Sequence, residues 1–157
     1  MNTTTNPTTI TAEPGTPFLE MVREFAASPE RVWHATTDPD LIVRWLGPAR
    51  NEMRLDVWDV RPGGSYRYVC STADGAEQGF HGVYHQVVPN QLSIATFEWE
   101  GAPDQVCLES VRYDDLGGRT RMTTRSVFPS VQARDMALQT GMQDGMTESM
   151  DRLAALL

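Results

Sequence analysis

The sequence predicts an α+β domain in which a seven-stranded antiparallel sheet buries one face against a long C-terminal helix. Three observations predict it. The apolar period changes from 3.6 residues to 2 near Met53, and strand-like segments then follow one another at hairpin spacing as far as Phe128. The run from Ser130 to Leu157 contains no proline and places Met142, Met146, Met150, Leu153 and Leu157 on one helical stripe. Between the first strand and the meander lie two segments that each begin at a proline behind a capping side chain, and both read as short helices.

Phe18–Phe25 is the first strand. Leu19, Met21 and Phe25 share one parity, and Glu20 and Glu24 the other. Arg23 falls on the apolar parity, and a twist that turns it outward is preferred to an inward charge awaiting a carboxylate or ligand. Ser28-Pro29-Glu30 opens one short helix carrying Val32, Trp33 and Thr36 inward. Asp38-Pro39-Asp40 opens a second through Leu41, Ile42, Trp45 and Leu46, and Gly47-Pro48 stops it.

The strands that follow begin with Met53, Leu55 and Val57 alternating against Arg54, Asp56 and Trp58. Ser65–Thr72, Gly79–Val88, Gln91–Glu100, Gln105–Tyr113 and Arg119–Phe128 come next, separated by turns rich in Gly, Pro, Asp and Asn. In the last of them Met122, Thr124, Ser126 and Phe128 oppose Arg119, Arg121, Thr123 and Arg125, which leaves the arginines in solvent. Residues 17–157 are thus expected to form one domain, with residues 1–16, rich in Thr and Pro, as a disordered tail.

Charge narrows the function classes. The net charge is −8, and all 13 basic residues are arginine. Nucleic acid and anionic membrane surfaces are therefore poor partners, and lysine chemistry such as Schiff-base formation is excluded. Cys70 and Cys107 lack metal-ligand spacing and read as reduced packing residues of a cytoplasmic protein. There is no apolar run of membrane-spanning length and no secretory signal pattern at the N-terminus.

The passages REFAASPERVWHATTDPDLIVRWLGP (Arg23–Pro48), RPGGSYRY (Arg61–Tyr68), GVYHQVVPNQL (Gly82–Leu92), TFEW (Thr96–Trp99) and GMTESMDRL (Gly145–Leu153) occur in this order. Together they resemble the helix-grip fold of the START-like superfamily, also called SRPBCC, which includes the birch-pollen allergen and polyketide cyclases. Within it the chain resembles the branch related to the activator of the heat-shock-protein-90 ATPase. The resemblance implies a curved sheet gripping the C-terminal helix around a hydrophobic cavity whose mouth lies near the two short helices. Met146 and Phe97 stand where that branch commonly carries tryptophan, which implies a roomier, more pliable cavity.

The expected function is binding of a small hydrophobic molecule, aromatic or polycyclic, with no cofactor and no metal. The expected lining is Trp45 near the mouth, Tyr84, Phe97 and Trp99 from the sheet, and Met142 and Met146 from the helix. Gln139 is the polar end of the stripe, continued by Asp135. Two readings of the methionines stay open: ordinary core filling, or cavity wall. The parity of the sheet that faces inward is not set by pattern.

No recognised catalytic constellation is present. There is no nucleophile elbow and no phosphate-cradling loop, and Gly63-Gly64 and Gly117-Gly118 are turn glycines. Gln139, Tyr84, Arg23 and Asp135 are the side chains available for acid–base work in a cavity. His81 and His85 share a strand parity, but no Asp or Glu shares their local pattern. His34 sits apart on the first helix, so solvent-facing or packing roles are expected for all three. The alternative function is a cyclase- or dehydratase-like enzyme using the same cavity. A co-chaperone role ranks below it, because one domain offers no second module to hold a large partner. Self-association as a homodimer through the sheet edge or the short helices is compatible with the sequence.

Overall fold

The computed structural model describes residues 6–157. The part of the expected tail formed by residues 1–5 lies outside the described residues. The chain runs β1 (Thr9–Thr11), β2 (Phe18–Phe25), α1 (Pro29–Thr37), α2 (Pro39–Trp45), β3 (Glu52–Trp58) and β4 (Ser65–Ser71). It continues β5 (Glu77–Val88), β6 (Leu92–Trp99), β7 (Cys107–Asp115), β8 (Thr120–Val127), α3 (Val131–Gln139) and α4 (Met142–Leu156). The strands form one antiparallel sheet in the order β1-β2-β8-β7-β6-β5-β4-β3. This is the helix-grip arrangement with eight strands instead of seven. No described helix is long and apolar enough to cross a membrane.

The extra strand corrects the tail expectation. Thr9, Ile10 and Thr11 pair with Val22, Met21 and Glu20, and Ile10 packs against the core. Further along the same segment, Arg134 of α3 donates to the carbonyls of Glu13 (3.1 Å) and Phe18 (2.8 Å). A three-residue strand is too short to leave a period, so only its docking reveals it.

The paired short helices form as their caps dictate. Ser28 Oγ accepts from the Arg31 amide, and Asp38 Oδ1 accepts from those of Asp40 and Leu41. Their inward side chains, Val32, Ala35, Ile42 and Trp45, join Phe25, Met122, Tyr113, Met150 and Leu153 in the main core.

Three local departures from the expected pattern shape the interior. First, the run Ser130–Leu157 is two helices, not one. Thr140 Oγ1 turns back to the Ala137 carbonyl (2.6 Å), and Gly141 adopts φ +78°, a left-handed conformation that suits glycine. The stripe is therefore broken between Gln139 and Met142. Second, the β3–β4 register slips between Leu55 and Val57. The bulge turns Val57 outward and Trp58 inward, where its Nε1 donates to the Thr37 carbonyl (2.7 Å). Third, the β5–β6 register slips between Tyr84 and Gln86, which leaves His85 exposed and without a partner in the ladder.

Arg23 points inward, contrary to the expected outward twist. It is 2% exposed, and its Nη1 donates to Asp151 Oδ1 of α4 (2.7 Å) and Thr8 Oγ1 (3.0 Å). The carboxylate it requires lies 128 positions away, on the last helix.

Candidate functional site

The sheet's concave face is set by register. Across β3 to β6 it presents an aromatic strip. Trp58 meets Tyr66 edge-on (6.2 Å between centroids), Tyr66 tilts against Tyr84 (5.5 Å), Tyr68 stacks on Phe80 (5.1 Å), and Phe80 stacks on Phe97 (5.6 Å). Facing the edge of this strip is α4, whose C-terminal half is sealed. Met150 is 3% and Leu153 0% exposed, whereas Met142 and Met146, nearer its start, are only half-buried.

The space left between them is a cavity of about 390 Å³. Tyr68, Cys70 and Phe80 form its floor, Met142, Gly145, Met146 and Met150 its helical wall, and Met21 closes it from β2. Because β2 and β4 sit at opposite sides of the sheet order yet meet the same space, the sheet curls around α4. The mouth is the α2–β3 loop, with Leu46, Gly47, Pro48 and Asn51 on its rim. That loop is pinned to α4. Ser149 Oγ accepts the Gly47 amide (2.9 Å), Glu148 Oε1 accepts the Ala49 amide (2.9 Å), and Arg152 donates to the carbonyls of Gly47 and Arg44 (2.6 Å each).

Polar groups at the cavity are few. Gln78, Thr72 and Ser149 line it, and Asn51 Oδ1 is buried with no hydrogen-bond partner. Burial pushes the Cys70 thiol up, so it is a neutral wall group and not a nucleophile. An apolar, open-mouthed pocket with a few orienting polar atoms is the ordinary make-up of a small-molecule site, and its volume falls in the usual range of roughly 300–1,000 Å³.

Of the expected lining residues, Met142 and Met146 face the cavity. Tyr84, Phe97 and Trp99 lie on the inward parity, which settles the question left open by pattern. Phe97 stands one ring behind the cavity floor and Tyr84 two, beyond Tyr66, and Trp99 sits 37% exposed at the end of the strip. Trp45 is core: it is 5% exposed, and its Nε1 donates to the Ala35 carbonyl (2.8 Å). Gln139 is exposed at the end of α3, and Asp135 pairs with Arg134 at the surface (2.9 Å). The helix break carries both out of line with Met142.

Sequence reasoning missed Tyr68, Phe80, Cys70 and Gln78. The alternation Tyr66, Tyr68, Cys70 in β4 was a usable signal, since its parity matches Phe80 and Gln78 across the ladder. It also missed Glu109, which shares the apolar parity Cys107, Val111, Tyr113 on β7.

The histidines are surface groups. His34 lies beside Asp38 (3.9 Å), and His85 is exposed. His81 does have acidic neighbours: Nδ1 meets Glu100 Oε2 (2.8 Å) and Nε2 lies 3.5 Å from Glu98, both reached across the β5–β6 ladder. Arg67 and then His81 hold the Glu100 carboxyl down at about 2. Among the described residues no three His, Cys, Asp or Glu side chains converge as metal ligands.

A second depression, about 560 Å³, lies over Ser28, Glu30, Asn90, Gln91, Asp114 and Asp115. It is open to solvent, and its polar atoms serve local structure: Ser28 caps α1, and Asp115 accepts the Gly117 and Gly118 amides.

Gly145 decides the cavity's width. A methyl group added there meets nothing within 4 Å, so this glycine does not serve close packing against a strand. Gly145→Ala is expected to stabilise the protein by about 0.5–1 kcal/mol through helix propensity alone, readable as a higher urea midpoint with an unchanged m-value.

Comparison with known proteins agrees with this fold. A family model described as Activator of Hsp90 ATPase homolog 1-like protein matches residues 26–157. No curated protein matches the chain. Among solved structures, a Rhodobacter sphaeroides protein superposes with a TM-score of 0.88 at 26% identity, covering 96% of this chain and 97% of its own. A Mycobacterium smegmatis protein gives 0.87 at 24% identity with the same coverage, 96% and 97%. An Arthrobacter aurescens protein gives 0.86 at 25% identity, covering 94% of this chain and 89% of its own.

Proposed function

We propose that this chain, which belongs to the Activator of Hsp90 ATPase homolog 1-like family, binds a small hydrophobic molecule, aromatic or polycyclic, between the sheet and α4. The observation that carries this reading is the unfilled apolar space of about 390 Å³ bounded by Tyr68, Phe80, Met142 and Met146. Apolar side chains lining an open pocket are left against water, and a hydrophobic molecule that covers them gains free energy. Flat rings suit a floor of stacked Tyr68 and Phe80. Methionines on the opposite wall adapt to ligands of different outline.

Thermal-shift screening tests the reading with aromatic polyketides, flavonoids, sterols and fatty acids as probes. A ligand at 100 times its Kd adds about 2.7 kcal/mol, which for a chain of this size raises Tm by roughly 5–10 °C. Gly145→Leu places a side chain into the cavity and is expected to abolish the shift of any hit while the variant stays folded. If no probe raises Tm, or if hits shift Gly145→Leu equally, the cavity is not the binding site.

A further inference from the structure

We infer that Glu109 forms a second subsite of this interior, one built to receive the protonated nitrogen of a hydrophobic amine. The inference rests on the hydrophobic-ligand reading above and assigns the polar end of that ligand.

Glu109 sits in the middle of β7, paired with Ala95 of β6 and Ser126 of β8, and Leu19 of β2 lies beyond Ser126. These neighbours on its face are closed to solvent. Leu19 is 1% exposed, Ser126 6%, Cys107 6% and Ala95 9%. Glu109 itself is only half-buried. Glu109 is thus the one member of this group that keeps an accessible part.

Its pairing is incomplete. Ser126 Oγ donates to Oε1 (3.0 Å), and among the described residues no arginine or histidine forms a salt bridge with it. The two buried arginines are engaged elsewhere, Arg23 with Asp151 and Arg134 with Asp135 and backbone carbonyls. Burial pushes the Glu109 carboxyl up, and the Ser126 hydrogen bond offsets this only in part. A carboxyl set among closed neighbours without a cation is costly to keep ionised, and a ligand's ammonium supplies the missing charge.

The surroundings suit a cation as well. On the same face Glu109 pairs with Ala95 and Ala95 with Tyr84, whose ring tilts against Tyr66 (5.5 Å), and Tyr66 stacks on Tyr68 (6.3 Å). Ring faces attract ammonium groups. The Tyr66 hydroxyl is committed to the Thr96 carbonyl (2.6 Å), whereas those of Tyr68 and Tyr84 have no partner among the described residues. Tyr68 joins the two places: its ring floors the cavity and stacks on Tyr66, the ring next toward Tyr84 and the Glu109 rung. A ring system seated against Tyr68 and Phe80 thus directs its polar end toward the carboxyl. The net charge of −8 also favours approach of a cation over that of an anion.

The test compares three probes of one shape: 2-naphthylmethylamine, 2-naphthylmethanol and 2-naphthoate, titrated calorimetrically into the full chain and its Glu109→Gln variant. The amine is expected to bind wild type roughly 10–100-fold more tightly than the alcohol, the range of a hydrogen bond to a charged group. The naphthoate is expected to bind weakest. Glu109→Gln is expected to bring the amine to the alcohol's affinity and leave the alcohol unchanged. If amine and alcohol bind wild type equally, or the alcohol binds better, the amine subsite is overturned and the hydrophobic-ligand reading survives. If none of the three binds wild type, both fall. The wild-type comparison decides the matter even if Glu109→Gln does not fold.

Discussion

Leu153→Ala is expected to lower the unfolding free energy by about 2–5 kcal/mol, the range for emptying a well-packed leucine site. Leu153 is 0% exposed and belongs to the cluster that joins α4 to Phe25, Val32 and Met122. Both the transferred area and the cavity left behind count against the variant, because α4 is held on either side by its contacts with Gly47 and Arg23. Met146→Ala, two turns earlier on the same helix, is the informative comparison. Met146 is half-buried and already borders empty space, so its truncation is expected to cost no more than roughly 1–1.5 kcal/mol. Urea unfolding of the two variants measures the contrast directly. Equal losses would mean that α4 is packed alike along its length, and the case for a cavity at its N-terminal half would collapse.

Gly82→Ala is expected to be as damaging, for a different reason. Gly82 and Val83 lie where the β5–β6 ladder is interrupted, between the pairs His81–Glu98 and Tyr84–Ala95. The Val83 amide turns to Thr96 Oγ1 (2.9 Å), and the Thr96 carbonyl accepts the Tyr66 hydroxyl instead (2.6 Å). A Cβ at position 82 would lie 1.9 Å from that carbonyl oxygen and 2.6 Å from the Tyr66 hydroxyl. The first obstacle is backbone and cannot rotate away. A loss of about 1–3 kcal/mol or more is expected from such overpacking. The aromatic strip should loosen with it, seen as reduced near-ultraviolet circular dichroism. Tyr66→Phe removes only the hydrogen bond and should cost about 1–2 kcal/mol. The double variant should not recover the loss of Gly82→Ala. A Gly82→Ala protein with wild-type stability would show that this rung is free to shift.

Much of the fold could be read along the chain because its signals are local. Ser28-Pro29 and Asp38-Pro39 cap helices by contacts spanning two or three residues. The alternation of Met122, Thr124 and Ser126 against arginines sets the faces of β8 without reference to any other strand. The sealed end of α4 at Met150 and Leu153 follows from helical period alone.

What escaped the one-dimensional reading depended on partners distant in sequence or on one-residue shifts. A single extra residue in β3 sends Trp58 inward, and one in β5 shifts the pairing from Gln86 onward by one place, because a strand's faces alternate every residue. Arg23 is inward because Asp151 meets it, and β1 is a strand because β2 offers it an edge. Met142 and Met146 were recognisable as cavity residues, since the helix positions them whatever lies opposite. Tyr68, Phe80 and Glu109 were not, because period 2 separates two faces but does not say which one the sheet will close around α4. That choice is made by curvature and burial summed over the whole sheet, and it turned a mid-strand glutamate into an interior carboxyl.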